Sequence, residues 1–170
     1  EGKFYSKYNI PSDGQIKSLV SFSLIESDMV SIRQLAESMT REGEKKIVYI
    51  TDTGYVHTSI FNKISNADCY VLESNHDPQI LMSDPIRPLA LKIRILSDHG
   101  HLSNEDSMVV LAKVMGEKTK LVLHAHISQD CNLTQIVNLT RERVFNDYGI
   151  DVGNIEFVIT SPYRTKEYLI

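Results

Sequence analysis

The stretch Lys46-Ile-Val-Tyr-Ile-Thr-Asp52-Thr-Gly54-Tyr55 decides the fold class. A short run of β-branched and apolar residues is typical of a buried strand. Asp52 follows it directly, so its carboxylate is expected at the rim of a sheet, with Gly54 allowing a sharp turn. An aspartate held there can bridge two cations through its two oxygens. Capping of the following turn is an equally supported role at this stage.

Three further runs of the same kind predict three more strands, at Cys69–Glu73, Lys120–His124 and Ile155–Thr160. Helical patterns are present at Ile32–Met39, from Ser103 onward, and from Leu133 to near Tyr148-Gly149. A strand is possible at Ser18–Leu24, and Pro85 and Pro88 bound a predicted loop. Strands that alternate with helices predict a layered α/β domain.

The composition is that of one globular domain spanning residues 1–170, with 42% apolar and 24% charged residues. Two cysteines, Cys69 and Cys131, cannot build a disulfide framework, and a cytoplasmic location is expected. No apolar run approaches the ~20 residues of a membrane helix, so no membrane partner is expected.

The net charge of −4 argues against general attraction to nucleic acid, but a local basic groove is compatible with it. The candidate groups of cations are Arg87, Lys92 and Arg94, and Lys113, Lys118 and Lys120. Each group is otherwise read as solvated surface charge.

All six histidines lie between positions 57 and 126, beside predicted strand ends. In Leu121-Val-Leu-His124-Ala-His126-Ile-Ser128 the two histidines are two residues apart. Such residues share one face of a strand, so both could approach one metal. Alternatively, one of the two is hydrogen-bonded within the structure.

The stretch from Ser97 to Asp106 contains His101 and a capping-box pattern, in which Ser103 precedes Asp106 by three residues. A helix that begins there offers unpaired N–H groups to a phosphate. His101 could protonate a leaving oxygen. A surface helix cap beside loop histidines is the simpler alternative.

The stretch Glu73-Ser-Asn-His76-Asp77 again follows a strand. His76 and Asp77 could orient other groups of a site. A polar helix start explains them equally well.

Taken in order, these motifs resemble the metallo-β-lactamase fold, and within its nuclease branch the YycJ/WalJ family, related to RNase Z and RNase J. The motifs that carry the resemblance are Thr51-Asp-Thr-Gly-Tyr55, Glu73-Ser-Asn-His-Asp77, Ser97-Asp-x-Gly-His-Leu-Ser-Asn104 and Ala125-His-Ile-Ser128. The match extends over residues 46–147.

The resemblance implies a role for individual residues. Asp52 matches the metal-bridging aspartate and His126 the last metal-binding histidine, whereas His124 has no certain counterpart. His101 matches a histidine that assists departure of the leaving group. The further expected site residues are Asp98 as a catalytic group, and Ser103, Asn104 and His76 near the phosphate.

The family's His-x-His-x-Asp-His motif is absent, and no histidine precedes Asp52. We expect an incomplete αββα sandwich: a fragment covering the C-terminal portion or a chain with missing segments, in preference to an intact, reduced relative.

The resemblance implies an enzyme that hydrolyses nucleic acid, with DNA favoured and cut from an end. The implied cofactors are two divalent metal ions, zinc or manganese. The alternatives are a hydrolase of small esters or thioesters on the same fold, and a non-catalytic binding protein.

Overall fold

The computed structural model describes residues 45–161 of the chain. The strand considered at Ser18–Leu24 and the helical pattern at Ile32–Met39 lie outside the described residues. The strands are β1 (Ile47–Ile50), β2 (Cys69–Glu73), β3 (Leu121–Ala125) and β4 (Glu156–Ile159). The helices are α1 (Phe61–Ile64, preceded by a 3-10 turn at Thr58–Ile60), α2 (Pro78–Ser83), α3 (Leu89–Ile95), α4 (Asn104–Val114) and α5 (Thr134–Asp147).

The four predicted strands are confirmed, each to within one residue at either end. They form one parallel sheet in the order β1-β2-β3-β4, so each strand lies beside its neighbour in the chain. Parallel strands need a crossover between them, and the intervening helices provide it. The layered α/β class is therefore confirmed.

The register of the strands aligns their carboxyl ends. Ile50 is level with Leu72, and Glu73 is level with Ala125. The residues that follow β1, β2 and β3 therefore emerge at one edge of the sheet, the position where α/β folds gather ligand groups.

The core lies between the sheet and the helices, and α4 packs against α5. Leu72 and Val122 of the sheet are fully buried, as are Met108, Leu111 and Val137 of the two helices. Burial of such a side chain stabilises the fold by about 1.5–3 kcal/mol.

Helix α3 has an unusual distribution of side chains. Lys92 is buried at 7% exposure, whereas Leu89 and Ile93 are exposed at 60% and 59%. The Lys92 ammonium donates to the carbonyls of Met82 (2.7 Å) and Asp84 (2.5 Å), which ties α3 to the end of α2. The predicted loop between Pro85 and Pro88 is confirmed, because α3 begins directly after Pro88.

Within residues 45–161, none of the helices has the length and apolar character that crossing a membrane requires.

Candidate active site at the carboxyl edge of the sheet

The geometry of the site is organised by Glu73, the last residue of β2, whose side chain is fully buried. Its Oε1 contacts Nδ1 of His101 at 2.8 Å and Nδ1 of His126 at 2.6 Å. Its Oε2 accepts hydrogen bonds from the backbone N–H groups of Thr53 (3.1 Å) and Leu102 (3.4 Å). One carboxylate thus joins the loops after β1 and β3 to the segment before α4.

The electrostatics of this cluster favour a negative Glu73. Burial by itself raises the pKa of Glu73, but the hydrogen bonds from His101 and His126 outweigh it, and the pKa lies below its ordinary value. The hydrogen bond to Glu73 correspondingly raises the pKa of His126.

The same contacts select a tautomer for both histidines. When Nδ1 of His101 and of His126 each donate to Glu73, the Nε2 atoms carry the free lone pairs. A carboxylate that orients imidazole in this way is the usual companion of a metal-binding histidine.

Asp52 and His126 share a strained backbone. Their φ angles are 60° and 53°, in the left-handed region that residues other than glycine rarely adopt. Such strain costs of order 1–3 kcal/mol and accumulates at functional sites. The carbonyl of His126 is held by the side-chain amide of Asn75 at 2.7 Å.

The expectation that Gly54 supplies the sharp turn after β1 is wrong in its detail. Within the described residues, Asp52 itself has the positive φ, whereas Gly54 does not. A Cβ on Gly54 would lie 1.9 Å from the carbonyl oxygen of Ser97. Gly54 is needed because the loop after β1 packs directly on the segment that leads to His101, and its N–H donates to the Asp98 carbonyl at 3.2 Å.

Asp52, His101 and His126 form a group whose donor atoms lie within 4.8 Å of one another. His126 Nδ1 is 3.6 Å from Asp52 Oδ1. A carboxylate with two imidazoles is a donor set that suits zinc and other first-row divalent cations. These residues therefore fit one metal ion, although His101 was predicted as a proton donor and not as a ligand.

His124 does not join this group, which corrects the expectation that His124 and His126 share a face. β3 ends at Ala125, and the positive φ of His126 turns its ring away from the strand pattern. His124 is fully buried, 3.1 Å from Ser74 Oγ through Nδ1, and stacked on Phe157. Burial lowers the pKa of His124 to about 3, so this ring is neutral and structural.

Ser103 and Asn104 are buried, with partners inside the protein. The capping box is confirmed: Ser103 Oγ accepts from the N–H of Asp106 at 3.1 Å and donates to its carboxylate at 2.6 Å. Asn104 forms a reciprocal amide pair with Asn132, at 2.9 and 2.8 Å. The N–H of Asn104 donates to the His76 carbonyl, so the start of α4 has fewer free donors than a phosphate cradle requires. Contact of these two side chains with a phosphate stays a prediction.

The remaining predicted site residues lie in different places. His76 lines the cleft at 1% exposure, and neither ring nitrogen has a hydrogen-bond partner in the part of the chain that the structure describes. The side chain of Asp98 is exposed, and the structure does not bring it into the group around Glu73.

The site opens into a cleft of about 510 Å³. Its lining includes Asp52, His76 and His101 of the site and Leu91, Arg94 and Ile95 of α3. This volume is within the range of pockets for small ligands, about 300–1,000 Å³.

Sequence reasoning assigned no role to Glu73, the residue that joins the site together. A signal was available: one carboxylate ends an otherwise apolar strand at the same sheet edge as Asp52. Asn75 and Asn132 were likewise missed, because asparagines in loops are too common to indicate a site.

Comparison with known proteins gives one consistent family. The model of the β-lactamase superfamily domain matches residues 22–125. The exodeoxyribonuclease YycJ of Bacillus anthracis is 34% identical over 153 residues, which are 85% of this chain and 58% of that protein. The exodeoxyribonuclease WalJ of Streptococcus pneumoniae serotype 2 (strain D39) is 37% identical over 142 residues, 81% of this chain and 52% of that protein.

The chain thus spans little more than half the length of these curated relatives. A solved structure, the metallo-β-lactamase fold protein YhfI from Bacillus subtilis, aligns with a TM-score of 0.45 and 17% identity, covering 71% of this chain and 39% of that chain.

Proposed function

The chain belongs to the β-lactamase superfamily and, within it, to the YycJ/WalJ family, and from this premise we propose that the complete protein is a metal-dependent exonuclease. Its substrate is nucleic acid, with DNA favoured, and it cuts phosphodiester bonds from an end. The observation that carries the proposal is the convergence of Asp52, His101 and His126 around the buried Glu73.

In this proposal Asp52 and His126 are metal ligands, and two divalent cations, zinc or manganese, occupy the complete site. The described residues contribute one side of it. Bound cations supply positive charge near the phosphate and a nucleophilic hydroxide at neutral pH. The strained backbone at Asp52 and His126 supports this role, because strain of this kind accumulates at functional sites.

His101 is the proposed proton donor. Its Nδ1 donates to Glu73, so it is the doubly protonated ring that would deliver a proton from Nε2 to the leaving oxygen. Asp98 is the second catalytic candidate; its carbonyl accepts a hydrogen bond from the N–H of Gly54 in the loop after β1, and its side chain is exposed.

His76, Ser103 and Asn104 are proposed to lie near the scissile phosphate. His76 lines the cleft with unpartnered but buried ring nitrogens, so its contact with substrate requires the ring to turn outward. The internal hydrogen bonds of Ser103 and Asn104 support a role in holding that wall.

We also propose that residues 1–170 belong to a single domain, of which they are a fragment or from which segments are missing, and that the protein acts in the cytoplasm. Both cysteines are free and buried, which fits a reducing compartment.

Metal content and nuclease activity of the full-length protein test the assignment of Asp52. The wild type is expected to hold close to two metal equivalents, and Asp52→Ala to lose metal binding and nuclease activity together. Asp151→Ala, a change of the same kind at the opposite edge of the sheet, is the control and should retain both. A folded full-length protein that takes up no metal would contradict the proposed function.

His101→Ala separates the two roles that the geometry allows for His101. As a proton donor it is expected to keep the metal content and to lose about 10²–10⁴-fold in rate. Loss of metal in this variant would instead make His101 a ligand, and full retained activity would remove it from the site.

A further inference from the structure

The cationic group predicted at residues 87–94 is divided by the structure. Arg87 pairs with Asp84 and, at 2.7 Å, with Asp130, so its charge is neutralised. Lys92 is buried against the carbonyls at the end of α2. Arg94 is exposed on α3, lines the cleft, and has no carboxylate partner among residues 45–161.

The backbone at Arg94 is held close to the loop that carries His101. The carbonyl of Ile95, the next residue along the chain, accepts a hydrogen bond from the N–H of His101 at 2.9 Å. A Cβ on Gly100 would lie 2.1 Å from that same oxygen, so the end of α3 is in close contact with the loop that carries His101. The backbone that carries Arg94 is therefore held next to the loop that carries the proposed proton donor, and the Arg94 side chain lines the cleft there.

The cleft also has an apolar part on the same helix. Leu91 and Ile95 line it together with Arg94, and Leu91 is 41% exposed. A guanidinium next to aliphatic side chains matches the chemistry of a nucleotide unit, in which a phosphate alternates with a less polar sugar and base. The second predicted group, at Lys113, Lys118 and Lys120, is not among the residues that line this cleft.

We propose that Arg94 binds a backbone phosphate next to the one that is cut, with Leu91 and Ile95 against the nucleoside between the two phosphates. The inference rests on the proposed function and adds to it a substrate-binding residue and the face of the cleft along which the strand runs. The chain has a net charge of −4, so a local cation such as Arg94 would help to draw a polyanion to this edge.

Steady-state cleavage of a single-stranded oligodeoxynucleotide by the full-length, metal-loaded protein tests this assignment. Arg94→Gln should raise KM about tenfold, as expected for a lost charged hydrogen bond, and leave kcat nearly unchanged. When the logarithm of the binding constant is plotted against the logarithm of the salt concentration, the negative slope should become less steep by about 0.7. Arg94→Lys should give a KM between those of the wild type and Arg94→Gln. Lysine keeps the positive charge but lacks the paired N–H donors of the guanidinium. Lys113→Gln, the same charge change on an exposed residue of α4, should behave as wild type.

A second measurement localises the contact. Oligonucleotides with one neutral methylphosphonate, moved along the strand, should show a KM penalty in the wild type at one linkage beside the cut. Arg94→Gln should show no penalty at that linkage. Cleavage of bis(p-nitrophenyl) phosphate, which has no neighbouring phosphate, should be unaffected by Arg94→Gln.

The outcomes separate the two proposals. Equal KM and equal methylphosphonate penalties in the wild type and Arg94→Gln would overturn the role of Arg94 while the nuclease function stands. A metal-loaded wild type that cleaves no oligonucleotide would overturn the nuclease function, and the role of Arg94 with it.

Discussion

Glu73 illustrates how one buried charge is stabilised without a pairing lysine or arginine from residues 45–161. A carboxylate removed from water is costly unless its oxygens are paired. Here both oxygens are used, one by His101 and His126 and the other by two backbone N–H groups. The stabilisation of the charge and the orientation of both imidazoles are therefore one arrangement.

Glu73→Gln is expected to weaken metal binding by about 10- to 100-fold, the usual effect of losing the carboxylate behind a ligand histidine. The amide keeps the size of the side chain but not the charge that fixes Nδ1–H on His126. Competition with a chelator of known affinity measures the change in the full-length protein. Glu105→Gln, on the exposed surface of α4, should leave the affinity unchanged. Equal affinity in Glu73→Gln and wild type would show that Glu73 does not orient the ligands.

His124 contributes to the dependence of stability on acid pH. The pKa of His124 is about 3 in the folded protein, against an ordinary value of 6.5. Between these values the unfolded chain binds a proton that the folded chain does not. The contribution is therefore complete above the unfolded pKa and is lost as the pH falls toward 3, by at most ~1.4 kcal/mol per pH unit.

His124→Phe should flatten this dependence. The unfolding free energy of the metal-free protein, measured with urea between pH 6 and pH 4, is expected to change less steeply with pH for the variant than for the wild type. Phe157→Leu alters the packing against the same ring but keeps its titration, so the wild-type slope should persist. Identical slopes in wild type and His124→Phe would contradict the assignment.

At the scale of elements, the segment after β2 is hydrogen-bonded both to the segment before α4 and to the loop after β3. Asn75 donates from its N–H to the Leu102 carbonyl, and its own carbonyl accepts from the N–H of Ser128. The Asn132 side chain bonds the carbonyls of Ser74 and Asn75 and pairs with Asn104 at the start of α4. The positions of α4, α5 and the site loops are thus coupled.

Asn132→Ala should therefore destabilise the protein by about 2–4 kcal/mol, because it removes the partner of the Ser74 carbonyl and both partners of the buried Asn104 amide. Chemical unfolding measures the loss. Gln135→Ala, an exposed change in the first turn of α5, should lie within about 0.5 kcal/mol of the wild type. A comparable small effect for Asn132→Ala would mean that water replaces the amide.

Helix α3 shows why elements of this kind escape prediction. Leu89, Leu91, Ile93 and Ile95 alternate with other residues, which is the period of a strand. The structure nevertheless makes a helix that buries Lys92 and exposes Leu89 and Ile93. Hydrogen bonds from the Lys92 ammonium to two carbonyls, a tertiary contact, override the local pattern.

For the whole molecule, metal binding and folding are linked. Asp52, His101 and His126 come from three separate segments and meet only in the folded chain. A cation at about 100 times its Kd should stabilise the full-length protein by about 2.7 kcal/mol, which corresponds to roughly 5–10 °C in Tm. Thermal unfolding with and without zinc or manganese measures this shift. Asp52→Ala should show none; an equal shift in that variant would place the metal elsewhere.

The sequence alone determined features that depend on neighbouring residues, and it indicated the family through the combined evidence of several motifs. The four strands, the cap at Ser103 and the loop at Pro85 to Pro88 follow from residues within a few positions of one another. The order of four motifs along the chain indicated the family, because each motif adds independent evidence.

What only the tertiary structure decided concerns partners distant in the sequence. Glu73 meets residues 28 and 53 positions away. His124 and His126 separate because the backbone of His126 turns to a φ of 53°, which Asn75 and Glu73 help to hold. Only Arg94, of three neighbouring cations, has no carboxylate partner within residues 45–161 and also faces the cleft. Local propensity acts over a turn or a strand, whereas these outcomes depend on which loops the register of the sheet brings together.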